Sequence, residues 1–157
     1  MRLHPIYIGE DQTQAIYLNP ACQELFKIYA DYYQKIGFNP PWIAYFIIRD
    51  NQVVGTCSFT GQPRDRKIEI AYYTFKEFER QGIASFACRE LISISKTSDN
   101  QVIITAKTAP QHNPSTRILE RNGFEFSGIV KDEDIGEAWE WVYRKGEPGI
   151  IQDSQTT

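Results

Sequence analysis

The chain has 157 residues, 41% apolar and 24% charged, proportions that suit one soluble folded domain. Its net charge of −3 argues against nucleic acid as the main ligand, because phosphate-binding domains usually carry a basic excess. Cys22, Cys57 and Cys88 are widely spaced and His4 and His112 are the only histidines, so no Cys/His zinc site or other metal is expected. The same pattern reads as reduced thiols in a cytoplasmic protein. No signal-peptide pattern is visible, and the longest apolar run, Trp42 to Ile48, is far shorter than the ~20 residues of a bilayer span, so no membrane partner is expected.

Pro5 to Ile8 reads as a short first strand. Asn19-Pro20 then signals a helix start, with Asn19 as N-cap and Pro20 at the first helical position. Leu25, Ile28, Tyr29, Tyr32 and Ile36 recur at helical spacing to form one apolar face, and Gly37 ends the helix. After the stiff loop Phe38-Asn39-Pro40-Pro41, Trp42 to Arg49 and Val53 to Thr60 read as a hairpin around Asp50-Asn51-Gln52. Lys67 to Phe75 is a fourth strand, rich in β-formers. Ile83, Ala87, Leu91 and Ile94 then set a helical period that fades at the polar cluster Thr97 to Asn100.

Val102 to Ala106 is a short apolar strand. Asn113-Pro114 opens another helix and Asn122-Gly123 closes it. Phe124 to Lys131 and Glu137 to Arg144 are the last strands, joined by the acidic turn Asp132 to Gly136. The order β-α-β-β-β-α-β-α-β-β predicts a single α/β domain over residues 1–145, with residues 146–157 as a tail expected to be disordered. The helix between the fourth and fifth strand runs implies one parallel pair in a mixed, mostly antiparallel sheet flanked by helices.

The chemistry concentrates between Thr74 and Ser85, where a strand passes through a polar loop into a helix. The first N–H groups of a helix lack an internal acceptor and carry the positive end of the macrodipole. Gly82 and Ala84 would let a diphosphate approach that backbone, with Arg80 adding charge. An ordinary strand-to-helix turn, with Gly82 there for tight packing, is the other reading. Neither a P-loop nor a Gly-x-Gly-x-x-Gly pattern occurs.

Glu69-Ile70-Ala71-Tyr72-Tyr73 and the turn through Ala84 resemble the strand and pyrophosphate loop of the GNAT acetyltransferases, whose signature is Gln/Arg-x-x-Gly-x-Gly/Ala. Here it reads Glu79-Arg80-Gln81-Gly82-Ile83-Ala84, with Glu79 in place of Gln or Arg. Asn113 to Phe124 resembles Asn-x-x-Ser-x-x-x-Leu-Glu-Lys-x-Gly-Phe of the branch related to ribosomal-protein N-terminal acetyltransferases, with the asparagine displaced by one position. The resemblance implies acetyl-CoA as cosubstrate and, as acceptor, a primary amine on a small molecule or peptide: a protein N-terminus, a metabolite or an antibiotic. A homodimer is compatible with it.

The same resemblance implies that Tyr72, Tyr73 and Thr74 pair by backbone with the pantetheine arm. Arg80, Gln81, Gly82, Ile83, Ala84 and Ser85 would hold the pyrophosphate, and a splay between the Lys67–Phe75 strand and Val102–Ala106 would admit the thioester. Asn113 would contact the cofactor arm, or serve only as an N-cap. Ser115 matches a serine near the sulfur, or is a solvent-facing residue of the first helical turn. Leu119 stands where many relatives carry an acid tyrosine. Glu69 is the candidate base, or a strand carboxylate paired with Lys67 or Arg66. Asp134 is a second acidic candidate, or part of a solvated turn, and Trp42 lines an acceptor pocket or packs in the core. Strand alternation puts Glu69, Ala71 and Tyr73 on one face and Ile70, Tyr72 and Thr74 on the other. A coenzyme-binding sensor or interaction module without turnover is the alternative function, kept open by Glu79 and Leu119.

Overall fold

The apolar runs assemble into one seven-stranded sheet with helices on both faces. The computed structural model describes residues 1–145, and the tail expected over 146–157 lies outside the described residues. In chain order the elements are β1 (Arg2–Pro5), α1 (Ala21–Ile36), β2 (Ala44–Arg49), β3 (Gln52–Phe59), β4 (Lys67–Thr74) and α2 (Ile83–Ser98). They continue with β5 (Ile103–Thr108), α3 (Pro114–Arg121), β6 (Phe124–Asp132) and β7 (Gly136–Tyr143). Two 3-10 turns, Ala15–Tyr17 and Lys76–Phe78, were not foreseen in the sequence. Among the described residues no helix is long and apolar enough to cross a membrane.

The strands lie in the order β1-β2-β3-β4-β5-β7-β6. Every neighbouring pair is antiparallel except β4 with β5, so the mixed α/β architecture with one parallel pair is as expected. That pair is short. Lys67 to Ile70 match Ile103 to Ala106, after which β4 runs on to Thr74 beside β3 alone and β5 runs on to Thr108 beside β7 alone. The sheet therefore opens into a V between Ala71–Thr74 and Lys107–Thr108.

Both faces of the central strands are covered, and β3 is buried along almost its whole length. On one face α1 packs Phe26 against Phe46 of β2 at 5.2 Å between ring centroids, with Tyr17 joining the cluster. The Tyr29 hydroxyl donates to Thr56 Oγ1 of β3 at 3.1 Å. On the other face α2 buries Ile83, Ala87, Cys88 and Leu91. The three cysteines are free and buried.

Several boundaries differ from the sequence reading, for physical reasons. The first strand is Arg2–Pro5 rather than Pro5–Ile8, because its place is set by pairing with β2, from Arg2 against Ile48 to Pro5 against Tyr45. The buried stripe of α1 centres on Cys22, Phe26 and Tyr33, with Leu25, Tyr29, Tyr32 and Ile36 at its margins, and Ile28 is 49% exposed. β5 continues two residues beyond Ala106 because β7 pairs with Lys107 and Thr108. α1 begins at Ala21 with Pro20, not Asn19, in the N-cap position and no side-chain cap from that residue, although Asn19 Oδ1 one residue earlier accepts from the Ala21 N–H at 2.9 Å.

Gly55 of β3 lies against Thr74, and a Cβ there would collide with the carbonyl oxygen of Tyr73. The missing side chain lets β3 hold close the end of β4 that runs on past its pairing with β5. We expect Gly55→Ala to force the strands apart and cost about 1–3 kcal/mol in urea denaturation. Unchanged stability would mean that this end of β4 is not tightly held.

Candidate functional site

The loop from β4 into α2 takes two left-handed residues. Arg80 has φ 64° and Gly82 has φ 79°. Such alternation turns successive N–H groups toward one point and makes an anion-binding concavity. Gly82 is the N-cap of α2, and no side chain caps that end. No acidic residue occupies the first turn of α2, and a Cβ added to Gly82 would meet no atom within 4 Å. The amides of Ile83, Ala84 and Ser85 therefore begin a helix whose positive end is open. Arg80 is exposed and makes no ion pair among the described residues, while Gln81 donates to Glu77 O at 3.5 Å.

The free edge of β4 leads to this loop. Beyond Ile70 the side of β4 turned away from β3 has no strand partner, so Tyr72 and Thr74 present backbone donors and acceptors to the V, whereas the Tyr73 carbonyl turns toward β3 and Tyr73 is not free to pair there. The side chains alternate as expected: Tyr72 turns inward, where burial pushes its hydroxyl far up, and Tyr73 is 57% exposed. Thr74 Oγ1 is buried without a hydrogen-bond partner among the described residues. A buried hydroxyl with no partner is costly, and here it lies at the open end of the strand.

The N-terminus of α3 is closed where that of α2 is open. Asn113 Oδ1 accepts from the Thr116 N–H at 3.1 Å, and Thr116 Oγ1 accepts from the Asn113 N–H at 3.0 Å. The carboxamide oxygen of Asn113 thus serves a capping box. Ser115 is exposed in the first turn, while Leu119 is 1% exposed within the core. Ser85 Oγ accepts from Asn122 Nδ2 at 3.1 Å and from Arg89 Nη1 at 3.0 Å, tying the first turn of α2 to the end of α3.

On the opposite face of the V, charged groups gather. Glu69 pairs with Lys107 Nζ at 3.3 Å, not with Lys67 or Arg66, and Lys107 Nζ also lies 3.8 Å from Asp132 Oδ2. Burial alone would lower the Lys107 pKa, but Glu69, Asp132 and Glu140 outweigh it and raise it. The Asp132 carboxyl is held low by N–H donors from Asp134 and Ile135, with Lys107 adding to the effect. Asp134 itself is exposed, so Asp132 is the carboxylate of this turn that meets Lys107. Tyr32 of α1 borders the group. Its hydroxyl donates to Phe59 O at 3.2 Å, and burial, with Glu69 adding a little, pushes it up to about 12. Trp42 packs edge-on against Phe59 at 5.1 Å, a packing role.

Lys107 was not singled out in the sequence, Tyr32 was read only as part of the apolar face of the first helix, and Asp132 only as the start of the acidic turn. Lys107 sits two residues past Thr105, the partner of Glu69, so only the strand register reveals that the two share a face. An open cavity of about 530 Å³ on the β6–β7 hairpin, lined by Ile129, Lys131, Asp132, Gly136 and Glu137, meets the charged group through Asp132.

Known proteins match this arrangement. The acetyltransferase (GNAT) domain family matches residues 7–125. The uncharacterized N-acetyltransferase p20 of Bacillus licheniformis is 32% identical over 83 residues, 52% of this chain and 47% of that protein. The putative ribosomal N-acetyltransferase YdaF of Bacillus subtilis strain 168 is 35% identical over 89 residues, 55% of this chain and 48% of that protein. The chain spans about half the length of the curated relatives it matches. Among solved structures, the ribosomal L7/L12 α-N-protein acetyltransferase RimL in complex with coenzyme A superposes with a TM-score of 0.63 at 17% identity. That superposition covers 89% of this chain and 91% of RimL, a likeness of fold. With the family match extending over most of its length, the chain belongs to the acetyltransferase (GNAT) domain family.

Proposed function

We propose that this protein transfers an acetyl group from acetyl-CoA to a primary amine. The observation that carries the reading is the coincidence of an unpaired β4 edge with an uncapped α2 N-terminus at the same end of that strand. Both fit coenzyme A. The open space at Gly82 and the left-handed loop suit a diphosphate, and the Thr74 hydroxyl and free β4 edge suit the amide-bearing arm.

When bound, acetyl-CoA supplies an electrophilic thioester carbonyl and a thiolate leaving group. The α2 amides and the Arg80 guanidinium would neutralise the diphosphate, and Tyr72 and Thr74 would align the arm along β4. The α2 side of the V then holds the coenzyme, and the acceptor approaches from the Glu69 side. An amine attacks only when uncharged, so the proton must leave it first. Glu69 faces that side and would take the proton through water, with Asp132 across Lys107 as the next carboxylate. Ser115, exposed at the start of α3, is the candidate donor to the thiolate. The likeness to YdaF and RimL makes a protein N-terminus the first acceptor to test. Three buried free thiols support a reducing, cytoplasmic setting.

Leu119, sealed in the core, favours one second reading: a coenzyme-binding module without turnover. Thiol release from acetyl-CoA across a panel of amines and N-terminal peptides separates the two, because only an enzyme releases thiol in proportion to acceptor.

Acetyl-CoA should raise stability by about 2.7 kcal/mol at a hundredfold excess over its Kd, with no metal added. Gly82→Val should abolish that gain, while the strained left-handed position itself costs about 1–2 kcal/mol. A folded Gly82→Val protein with unchanged coenzyme affinity would locate the diphosphate elsewhere.

Glu69→Gln keeps shape and hydrogen bonding but removes basicity. We expect turnover near neutral pH to fall at least about tenfold with the KM for acetyl-CoA unchanged, and the loss to shrink at high pH. Wild-type turnover at every pH would remove Glu69 from the proton path.

A further inference from the structure

Where the two parallel strands part, the acceptor side carries three carboxylates around one ammonium. Glu69 is the last β4 residue on this face before the strands separate, and Lys107 is the first β5 residue beyond the last pair. The Lys107 ammonium lies 3.3 Å from Glu69 Oε1 and 3.8 Å from Asp132 Oδ2. Glu140, opposite Lys107 on β7, adds a third negative charge. The Lys107 side chain is 29% exposed, so its charge is only partly screened by water. Those carboxylates keep Lys107 protonated through neutral and moderately alkaline pH.

An acceptor that enters from this side brings one amine that must shed its proton. Any second ammonium on a short acceptor would seek the same carboxylates, and that position is already filled from within the chain. We propose that Lys107 is a specificity-determining residue, an internal cation that occupies the place between Glu69 and Asp132 and disfavours short diamines relative to monoamines. The proposal rests on the acetyl-transfer reading for the direction from which the acceptor arrives. Lys107 acts on the choice of acceptor and takes no part in the proton transfer.

The test is equilibrium binding of butylamine and 1,4-diaminobutane at low salt to the coenzyme A complex, followed by NMR titration. Lys107→Met keeps length and packing but removes the charge, and Lys107→Arg keeps the charge. The diamine-to-monoamine affinity ratio should rise about fivefold in Lys107→Met, the upper range for one partly exposed charge pair, and stay at the wild-type value in Lys107→Arg. An unchanged ratio in Lys107→Met, or no diamine binding to it, overturns the proposal. Should Lys107→Met fail to fold, the wild-type protein decides: butylamine must bind at least as tightly as the diamine, and a wild-type preference for the diamine overturns the proposal. Because binding is read rather than turnover, failure of the acetyl-transfer reading shows separately, as absent thiol release by the wild-type protein.

Discussion

A parallel strand pair cannot be closed by a tight turn and needs a crossover, and in this chain α2 is that crossover between β4 and β5. A crossover helix starts where its first strand ends. The positive end of α2 therefore lies at the C-terminal end of β4, and that is the end at which the four-residue pair with β5 has already come apart. An anion site and an unpaired strand edge are brought together by connectivity alone. Ligand sites at the carboxyl ends of parallel strands follow from the same constraint in other α/β sheets.

The two helices behind the sheet show how the chain spends its polar groups. At α3 the side chains of Asn113 and Thr116 satisfy the N-terminus, and Pro114 removes one further donor. At α2 a glycine replaces the capping side chain and the loop before it is wound left-handed at Arg80 and Gly82. Capping by Ser, Thr, Asn or Asp would contribute about 0.5–2 kcal/mol, and α2 forgoes it. Local stability is lower at the one helix end where a ligand with its own oxygen acceptors would complete the bonding.

Much of this was legible in the chain because the signals are local. The Asn113-Pro114 start, the Asn122-Gly123 stop and the period of Ile83, Ala87 and Leu91 each depend on residues within a turn or two. The parallel pair followed from the helix between two strand runs. What escaped notice depends on pairing between distant segments. Glu69 looked to Lys67 and Arg66 for a partner because they are near in sequence, whereas the register of β4 with β5 gives it Lys107. Asp132 rather than Asp134 reaches that lysine because two N–H donors from the turn fix the Asp132 carboxylate, leaving Asp134 outside. Ile28 fits the helical period, but a stripe centred on Phe26 and Tyr33 leaves it at 49% exposure.

Amide hydrogen exchange with and without acetyl-CoA tests the central claim most directly. If the open helix end and the free strand edge together form the coenzyme site, binding should slow exchange at Tyr72 and Thr74 and at Gly82 to Ser85. The capped start of α3 should change far less. Protection confined to the β6–β7 hairpin, or absent from both segments under saturating acetyl-CoA, would contradict it.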